Sequence, residues 1–453
     1  MKCRINFTDA EINSGFILKS SNKSIITPGG VEMVGELLKK TDLRHRINKV
    51  GKNAVNKVKK NFACVASMIG CFVQGKCNYE DVSEFHEDPS FYCKALRINN
   101  IPSVETLRQR FDELGVDLKD SELFAVENAK LLKAHNIKLE PTFTGHVPLD
   151  ADVSSHDQSG IKKEGVSWTY QGYDGYSPMY LYCGLQGFLL NVQLREGSEH
   201  SQTAGTVNFF ANSIKYAREI TSEKLLFRLD SGNDSGDNIE LFFKENVDFV
   251  IKRNLRKESR EKWVEIAKSC GIKTTQRDGK IVYTGSTFKE KDGRKIRIVF
   301  MVTERTIDKF GQGLLEPQID IQTWWVSPGL QTNFDDEIVK LYREHAICEQ
   351  FHSEIKTDIG LERFPSGKFA TNALILQIVM IAYNVLKIIG YAALNLGVKL
   401  TKHDVGRLRI KTVIQRFINI AVHVVNHARK TYLDFGKSNK WRDAFVYIHA
   451  ILQ

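Results

Sequence analysis

The chain has 453 residues, a formal charge of +10 and only 9 prolines, and it is 42% hydrophobic and 26% charged. That length excludes one small module, and that composition excludes a disordered, collagenous or low-complexity chain. Eight cysteines occur without a Cys-x-x-Cys pair, which excludes a zinc site built on such pairs; with a start that lacks a long apolar run, they lead us to expect a reduced, cytoplasmic protein.

Charge is unevenly spread. Residues 1–60 hold thirteen Lys/Arg against five Asp/Glu, residues 387–453 hold twelve against three, and the middle is mildly acidic. Basic ends suit a grip on a polyanion, while an acidic middle can concentrate carboxylates for other work.

Residues 1–145 read as a helical domain. Val55, Val58, Phe62, Val65, Ile69 and Phe72 recur at the spacing of one helix face. A second helix begins after Ser103, a capping residue, with Leu107, Phe111 and Leu114 facing inward and Arg108 and Arg110 on the outer face. Those arginines are either solvated charges or contacts to DNA.

From residue 146 the pattern changes to short β runs. HVPLDADVSS, SPMYLYCG and GFLLNVQLR predict three successive strands, the last two joined as a hairpin. A helix over about 203–220, a strand over 224–230, a short helix and the strand VDFVIKR follow, so residues 146–252 form a mixed α/β sheet with covering helices. Lys162 and Lys163 lie in a loop, either solvated or touching DNA, and His200, beside Glu196 and Glu199, reads as a structural group.

Residues 253–334 contain IVYTGSTF, RKIRIVFMV and DIQTWWV, expected to form an inserted antiparallel sheet of their own. Trp324 and Trp325 alternate there, so one fills the insertion's core and the other is exposed, available to stack on a flipped base. Residues 335–396 resume the core with one long helix over 336–357, capped by Asp335. ALILQIVMIAYNVLKIIGYAALNL is long enough to span a membrane, but Gln377, Asn384 and Lys387 interrupt it; a buried core helix is expected, with no membrane partner. Residues 397–453 read as basic and helical, with Val413, Phe417, Ile420, Val424 and Ala428 in helical repeat.

Carboxylates recur where the α/β pattern puts strand ends. Asp150 and Asp152 lie on the first strand, on one face, Asp230 ends a later one, and Glu349 sits on the long helix. Convergent carboxylates form an oxygen-only site suited to Mg²⁺ or Mn²⁺, and two such ions can activate a water or a 3′-hydroxyl and stabilise a phosphodiester's leaving oxygen. Tyr342, His345, Glu349, His352 and Lys356 form a polar stripe on that helix, and Ile347, Phe351 and Ile355 an apolar one. The Glu349-x-x-His352 pair also fits half of a di-iron bundle site, but a second pair is missing.

YREHAICEQFHSEIK resembles the Tyr-(2)-Arg-(3)-Glu-(6)-Lys signature of bacterial insertion-sequence transposases of the DDE type. LERFPSGKFATNALILQIVMIAYNVL, LDADVSSHDQSGIKKEGVSWTYQGYDGYSP and LREGSEHSQ are similar to the insertion-sequence thirteen-eighty family of the insertion-sequence four clan. The resemblance implies a ribonuclease-H-like catalytic core interrupted by a β-rich insertion before the glutamate's helix. It implies Asp152, Asp230 and Glu349 as catalytic and metal-holding residues for two Mg²⁺ or Mn²⁺ ions, with Asp150 the rival of Asp152. Tyr342 and Lys356 match the signature's outer positions and are implied, with Arg343, as DNA contacts. His345 stands where the signature has arginine, and is either a DNA contact in its place or a neutral histidine that packs or hydrogen-bonds beside Glu349. The implied activity is binding of terminal inverted repeats, cleavage of DNA and joining of 3′-hydroxyls to target DNA, by a dimer on DNA at the nucleoid.

Overall fold

The computed structural model describes residues 10–453 except 13–15, 19–21, 52–60, 200, 204, 257, 292, 309, 397–402 and 404. Val55, Val58 and His200 therefore lie outside the described residues. Strand β1 (Ser24–Ile26) precedes helix α1 (Glu32–Leu38), α2 (Asn61–Phe72), α3 (Val104–Asp117) and α4 (Leu123–Ala134). In α2, Val65, Ile69 and Phe72 are fully buried. Helix α3 starts as the sequence predicts: Ser103 Oγ accepts a hydrogen bond from the Thr106 amide at 3.2 Å, and Leu107, Phe111 and Leu114 are buried.

The central sheet begins with β2 (Val147–Val153), β3 (Met179–Cys183) and β4 (Phe188–Gln193), then α5 (Thr206–Ile220), β5 (Leu225–Leu229), α6 (Gly236–Lys244) and β6 (Asp248–Lys252). Helix α7 (Arg260–Cys270) leads to β7 (Ile272–Arg277), β8 (Lys280–Lys291), β9 (Arg294–Ile307) and β10 (Gly313–Val326). Nine strands form one sheet in the order β7-β8-β9-β10-β6-β5-β2-β3-β4. Strands β2, β5 and β6 run parallel, whereas β3 is antiparallel to β2 and β4 to β3. The inserted strands therefore do not make a sheet of their own as expected. Strand β10 pairs antiparallel with β6, through Val250 with Val326 and Lys252 with Trp324, and so extends the central sheet. An unpaired edge on β6 would have left its backbone donors and acceptors open, and the insertion covers it.

Period-2 alternation sends the two sets of side chains to opposite faces. Phe227, Leu229, Phe249 and Ile251 belong to the main core, whereas Leu226, Val250, Trp324 and Val326 form a second cluster with Ile338 and Leu341. The long helix expected over 336–357 is segmented: α8 (Asp335–Arg343), a 3₁₀ turn at Glu344–Ile347, α9 (Cys348–Ser353) and a π turn at Glu354–Asp358. Phe334, not Asp335, holds the cap position, and Glu337 Oε2 accepts from the Phe334 amide at 3.1 Å. Asp335 instead pairs with Arg297 at 2.6 Å.

Helix α10 (Phe369–Leu394) is the long apolar segment, and it is packed inside the protein against β4, α2, α3 and α4. Its polar residues are satisfied there: Asn384 Nδ2 donates to Asn128 Oδ1 at 2.6 Å and to the Leu189 carbonyl at 2.7 Å. The C-terminal region is only partly helical. Residues expected to continue a helix form β11 (Val422–His427) and β12 (Lys430–Phe435), with β11 pairing β1 near the other end of the chain, before α11 (Arg442–Leu452). Val424 and Ala428 are β-branched and turn-forming positions here; the period that suggested a helix comes from Val413, Phe417 and Ile420, which lie in or beside the short helical turns at 410–418.

Candidate active site

The register of the central strands decides the fate of Asp150. Asp150 on β2 sits directly beside Arg228 on β5 and opposite Tyr182 on β3. The Arg228 guanidinium donates to both Asp150 oxygens, at 2.7 and 2.6 Å, and Arg228 is fully buried. His345 Nδ1 adds a contact to Asp150 at 3.1 Å. Burial raises the Asp150 pKa, but Arg228 and His345 outweigh it, and the net shift is downward. Asp150 is an ionised, saturated structural carboxylate.

Asp152, two residues on and on the same face, is different. Its side chain is 28% exposed and lines a cleft of about 560 Å³ together with Asp230, Glu199 and Ser201. Burial raises its pKa, but a hydrogen bond from His352 Nε2 at 3.3 Å, the histidine charges and the Val153 amide at 2.8 Å bring it below the ordinary carboxylate value. His352 is oriented in turn by Tyr182, whose hydroxyl meets Nδ1 at 3.1 Å.

Asp230 follows the last residue of β5 and accepts from Asn233 Nδ2 at 2.8 Å. Burial, and then the charge of Asp152, push its pKa up. The two carboxylates thus face each other across one cleft with their titrations pushed apart, and among the described residues no lysine or arginine pairs with either. Glu349 is exposed on α9, one turn after His345 and one turn before His352. Helical spacing puts Glu349 on the same side of this segment as His345 and His352, but it is not among the residues that line the cleft.

The donor chemistry fits a hard divalent cation. Asp152 and Asp230 offer carboxylate oxygens whose mutual repulsion a cation would relieve, and Glu349 is an acidic group on the facing helix with no ion-pair partner among the described residues. One tighter group exists, Asp150, His345 and Cys348, with ligand atoms within 4.8 Å of one another. It does not fit a metal: Arg228 occupies both Asp150 oxygens, and burial, followed by the Asp150 and Asp152 charges, keeps the Cys348 thiol protonated.

The remaining expected site residues scatter. Tyr342 is half-buried, its ring 5.5 Å from that of Trp324, and burial, then the charges of Asp230 and Asp152, raise its pKa. Arg343 is exposed and reaches Met301 Sδ. His345 is buried against Asp150, so the reading of it as a DNA contact in place of the arginine is corrected: its ring nitrogen serves the Asp150–Arg228 pair. Lys356 donates to the Ser155 carbonyl. Arg108 is exposed and paired with Glu80. Arg110 is not on the outer face; it is buried and donates to Asn61 Oδ1 and Glu113. Lys162 is exposed, whereas Lys163 is held by Gln158 Oε1 at 2.7 Å and by the Phe364 carbonyl. Neither Trp324 nor Trp325 is exposed: Trp324 is fully buried, and Trp325 is buried under Arg253 with Nε1 donating to Asp234 at 2.9 Å. Both faces of β10 are covered at that end of the strand, so neither ring can stack on a base.

Sequence reasoning missed Arg228 as the partner of Asp150, His352 as the partner of Asp152, and the cleft residues Glu199, Trp168 and Tyr170. The Arg-Leu-Asp order in β5 carried the first signal, because it puts Arg228 and Asp230 on one face.

Residues 18–453 match the family described as Transposase DDE domain group 1. No curated protein sequence matches the chain. Among solved structures the chain is similar to a piggyBac transposase synaptic complex with hairpin DNA, at 10% identity and a TM-score of 0.39, over 87% of this chain and 80% of that one. With nearly its whole length matched, the chain belongs to the DDE transposase family, domain group 1.

Proposed function

We propose that the protein is an active transposase that binds the terminal inverted repeats of its own element as a dimer, cuts DNA at their ends and joins the freed 3′-hydroxyls to target DNA. The observation that carries this reading is the pair Asp152 and Asp230, two carboxylates without a lysine or arginine partner among the described residues and lining one cleft. Glu349 completes the set in this reading. The strand order β4-β3-β2-β5-β6, with three antiparallel strands followed by two parallel ones, supports a ribonuclease-H-like core. The motifs around Tyr342 and Lys356 support placement in the insertion-sequence thirteen-eighty family.

Two Mg²⁺ or Mn²⁺ ions, when bound, would supply an activated water or 3′-hydroxyl and neutralise the leaving oxygen. Asp152, Asp230 and Glu349 would hold them. His352 fixes the orientation of Asp152 through Nε2, and Tyr182 fixes the imidazole. Tyr342, Arg343 and Lys356, with exposed Lys162 and Arg108, are proposed to meet DNA phosphates around the cleft.

The test is cleavage of a duplex bearing the DNA that flanks this reading frame, in Mg²⁺ or Mn²⁺. Wild-type protein should nick at the repeat ends and insert them into a second duplex. Cutting without joining would favour a nuclease, and binding without cutting a DNA-binding regulator.

A further inference from the structure

The segment that carries Glu349 is held on a second face by two arginines from the C-terminal part of the chain. Arg407 donates to Glu354 Oε1, and to Gln350 Oε1 at 3.0 Å. Arg409 donates to both oxygens of Asp358, at 2.8 and 3.1 Å, to Ser353 Oγ at 3.3 Å and to Thr357 Oγ1 at 3.4 Å. These partners, Gln350, Ser353, Glu354, Thr357 and Asp358, recur at helical spacing and make one stripe. Glu349, His352 and Lys356 make another, turned away from it round the axis.

The grip is built in. Glu354 is 1% exposed and Asp358 8% exposed, so breaking either pair would leave a buried carboxylate without its countercharge. That cost makes the contacts permanent and rules out a latch. Leu408 and Ile410, which alternate with the arginines, are buried and anchor the strap in the core, and the Lys411 amide donates to Asp358 Oδ2 at 3.2 Å. The Arg407 guanidinium also lies over the Phe351 ring, 4.7 Å from its centroid, and so presses on the apolar side of the segment. What is held is irregular. A 3₁₀ turn runs into α9, which ends in the π turn Glu354–Asp358, and turns of that wide kind concentrate at functional sites.

We propose that Arg407 and Arg409 are positioning residues for Glu349: they fix the register of this segment and with it the place of the Glu349 carboxylate relative to Asp152 and Asp230. The inference rests on the reading of Glu349 as the third metal-holding carboxylate, and adds that the C-terminal strap sets its position. Metal ligands must be held to within about half an ångström, which a segment free to slip between α and π pitch would not do. Neither arginine lines the cleft. Their loss should therefore disturb metal binding and cleavage without removing a DNA contact there.

The experiment uses the full chain and paired substitutions that leave no buried charge unmatched: Arg407→Met with Glu354→Gln, and Arg409→Met with Asp358→Asn. Arg407→Lys and Arg409→Lys keep the charge and give up the planar fork. Calorimetry across a Mn²⁺ series reads metal binding apart from activity, and cleavage and affinity are measured on the element-end duplex. Both double variants should bind the duplex within threefold of wild type, need at least fivefold more Mn²⁺ for the half-maximal rise in thermal midpoint, and cut at least tenfold more slowly. Each lysine variant should fall between its double variant and wild type. A wild-type Mn²⁺ requirement in the folded double variants would overturn the proposal, as would a fall in duplex affinity equal to the fall in cleavage, which would make the arginines DNA contacts. If a double variant does not fold, its lysine variant decides by the same Mn²⁺ criterion, at least twofold supporting the proposal and no change overturning it. If wild type binds Mn²⁺, and Glu349→Gln and the double variants weaken that binding alike, yet wild type cuts no duplex, the transposase reading fails and the positioning role stands.

Discussion

Arg228 holds both oxygens of Asp150, at 2.7 and 2.6 Å, while Asp152, two residues along the same strand face, has no arginine or lysine partner among the described residues. One strand thus presents a structural and an open carboxylate side by side. Breaking the buried pair should be costly: Arg228→Met should destabilise the fold by about 3–5 kcal/mol, because an uncompensated buried carboxylate remains. Adding Asp150→Leu to it should recover much of the loss. Urea unfolding of the single and double variants checks this, and a double variant no better than the single one would contradict it.

The crowding of Asp230 against Asp152 predicts a trade between stability and metal binding. A carboxylate with a raised folded pKa opposes folding once it ionises, so its cost is absent at low pH and present once pH exceeds the folded value. Asp230→Asn should therefore raise the thermal midpoint of metal-free protein at pH 7 by roughly one to two degrees. Mn²⁺ should raise the midpoint of wild type and leave that of Asp230→Asn unchanged, as read by calorimetry.

Acid should unfold the protein through two histidines, one buried and one half-buried. His156 donates from Nδ1 to the Leu361 carbonyl at 2.8 Å and accepts from Tyr180 at 2.7 Å, and burial first, then Lys356, lowers its pKa to about 3. Burial lowers His135 to about 4. Unfolding lets both protonate near pH 6.5, so stability is full above that value and falls as pH drops toward 4 and then 3. Each group contributes a slope approaching about 1.4 kcal/mol per pH unit. His156→Gln should flatten the decline of the unfolding midpoint between pH 6 and 4; an unchanged decline would remove His156 from this role.

The helix bearing Glu349 is anchored by Phe351. That ring is fully buried and packs on Gly187, where φ is +71° and a Cβ would lie 2.2 Å from the ring. Phe351→Ala should cost about 3–5 kcal/mol. Gly187→Ala should also destabilise, through both the contact and the left-handed backbone, and lower activity by shifting the helix. Chemical denaturation of each variant gives the comparison.

Local patterns made the strands around Asp152 and Asp230 legible, because period 2 and the Asp-Val-Ser and Arg-Leu-Asp ends are encoded within a few residues. Capping by Ser103 and the inward face of α3 were legible for the same reason. What sequence alone could not supply were relations set by register and by distant pairing. Asp150 looks like a rival of Asp152 until β5 places Arg228 beside it. Arg110 looks exposed until Asn61, 49 residues earlier, closes over it. The insertion looked like a separate sheet because the β10 to β6 pairing joins segments some 70 residues apart, and β11 looked helical because its partner β1 is near the other end of the chain.

The most direct measurement is strand cleavage of the element-end duplex in Mn²⁺ by wild type, Asp152→Asn, Asp230→Asn and Glu349→Gln, with duplex affinity measured alongside. The three variants should lose cleavage while holding the duplex within a few-fold of wild type, since affinity comes mainly from Lys/Arg contacts to phosphate. Metal-dependent cleavage persisting in any one of them would contradict its place in the site.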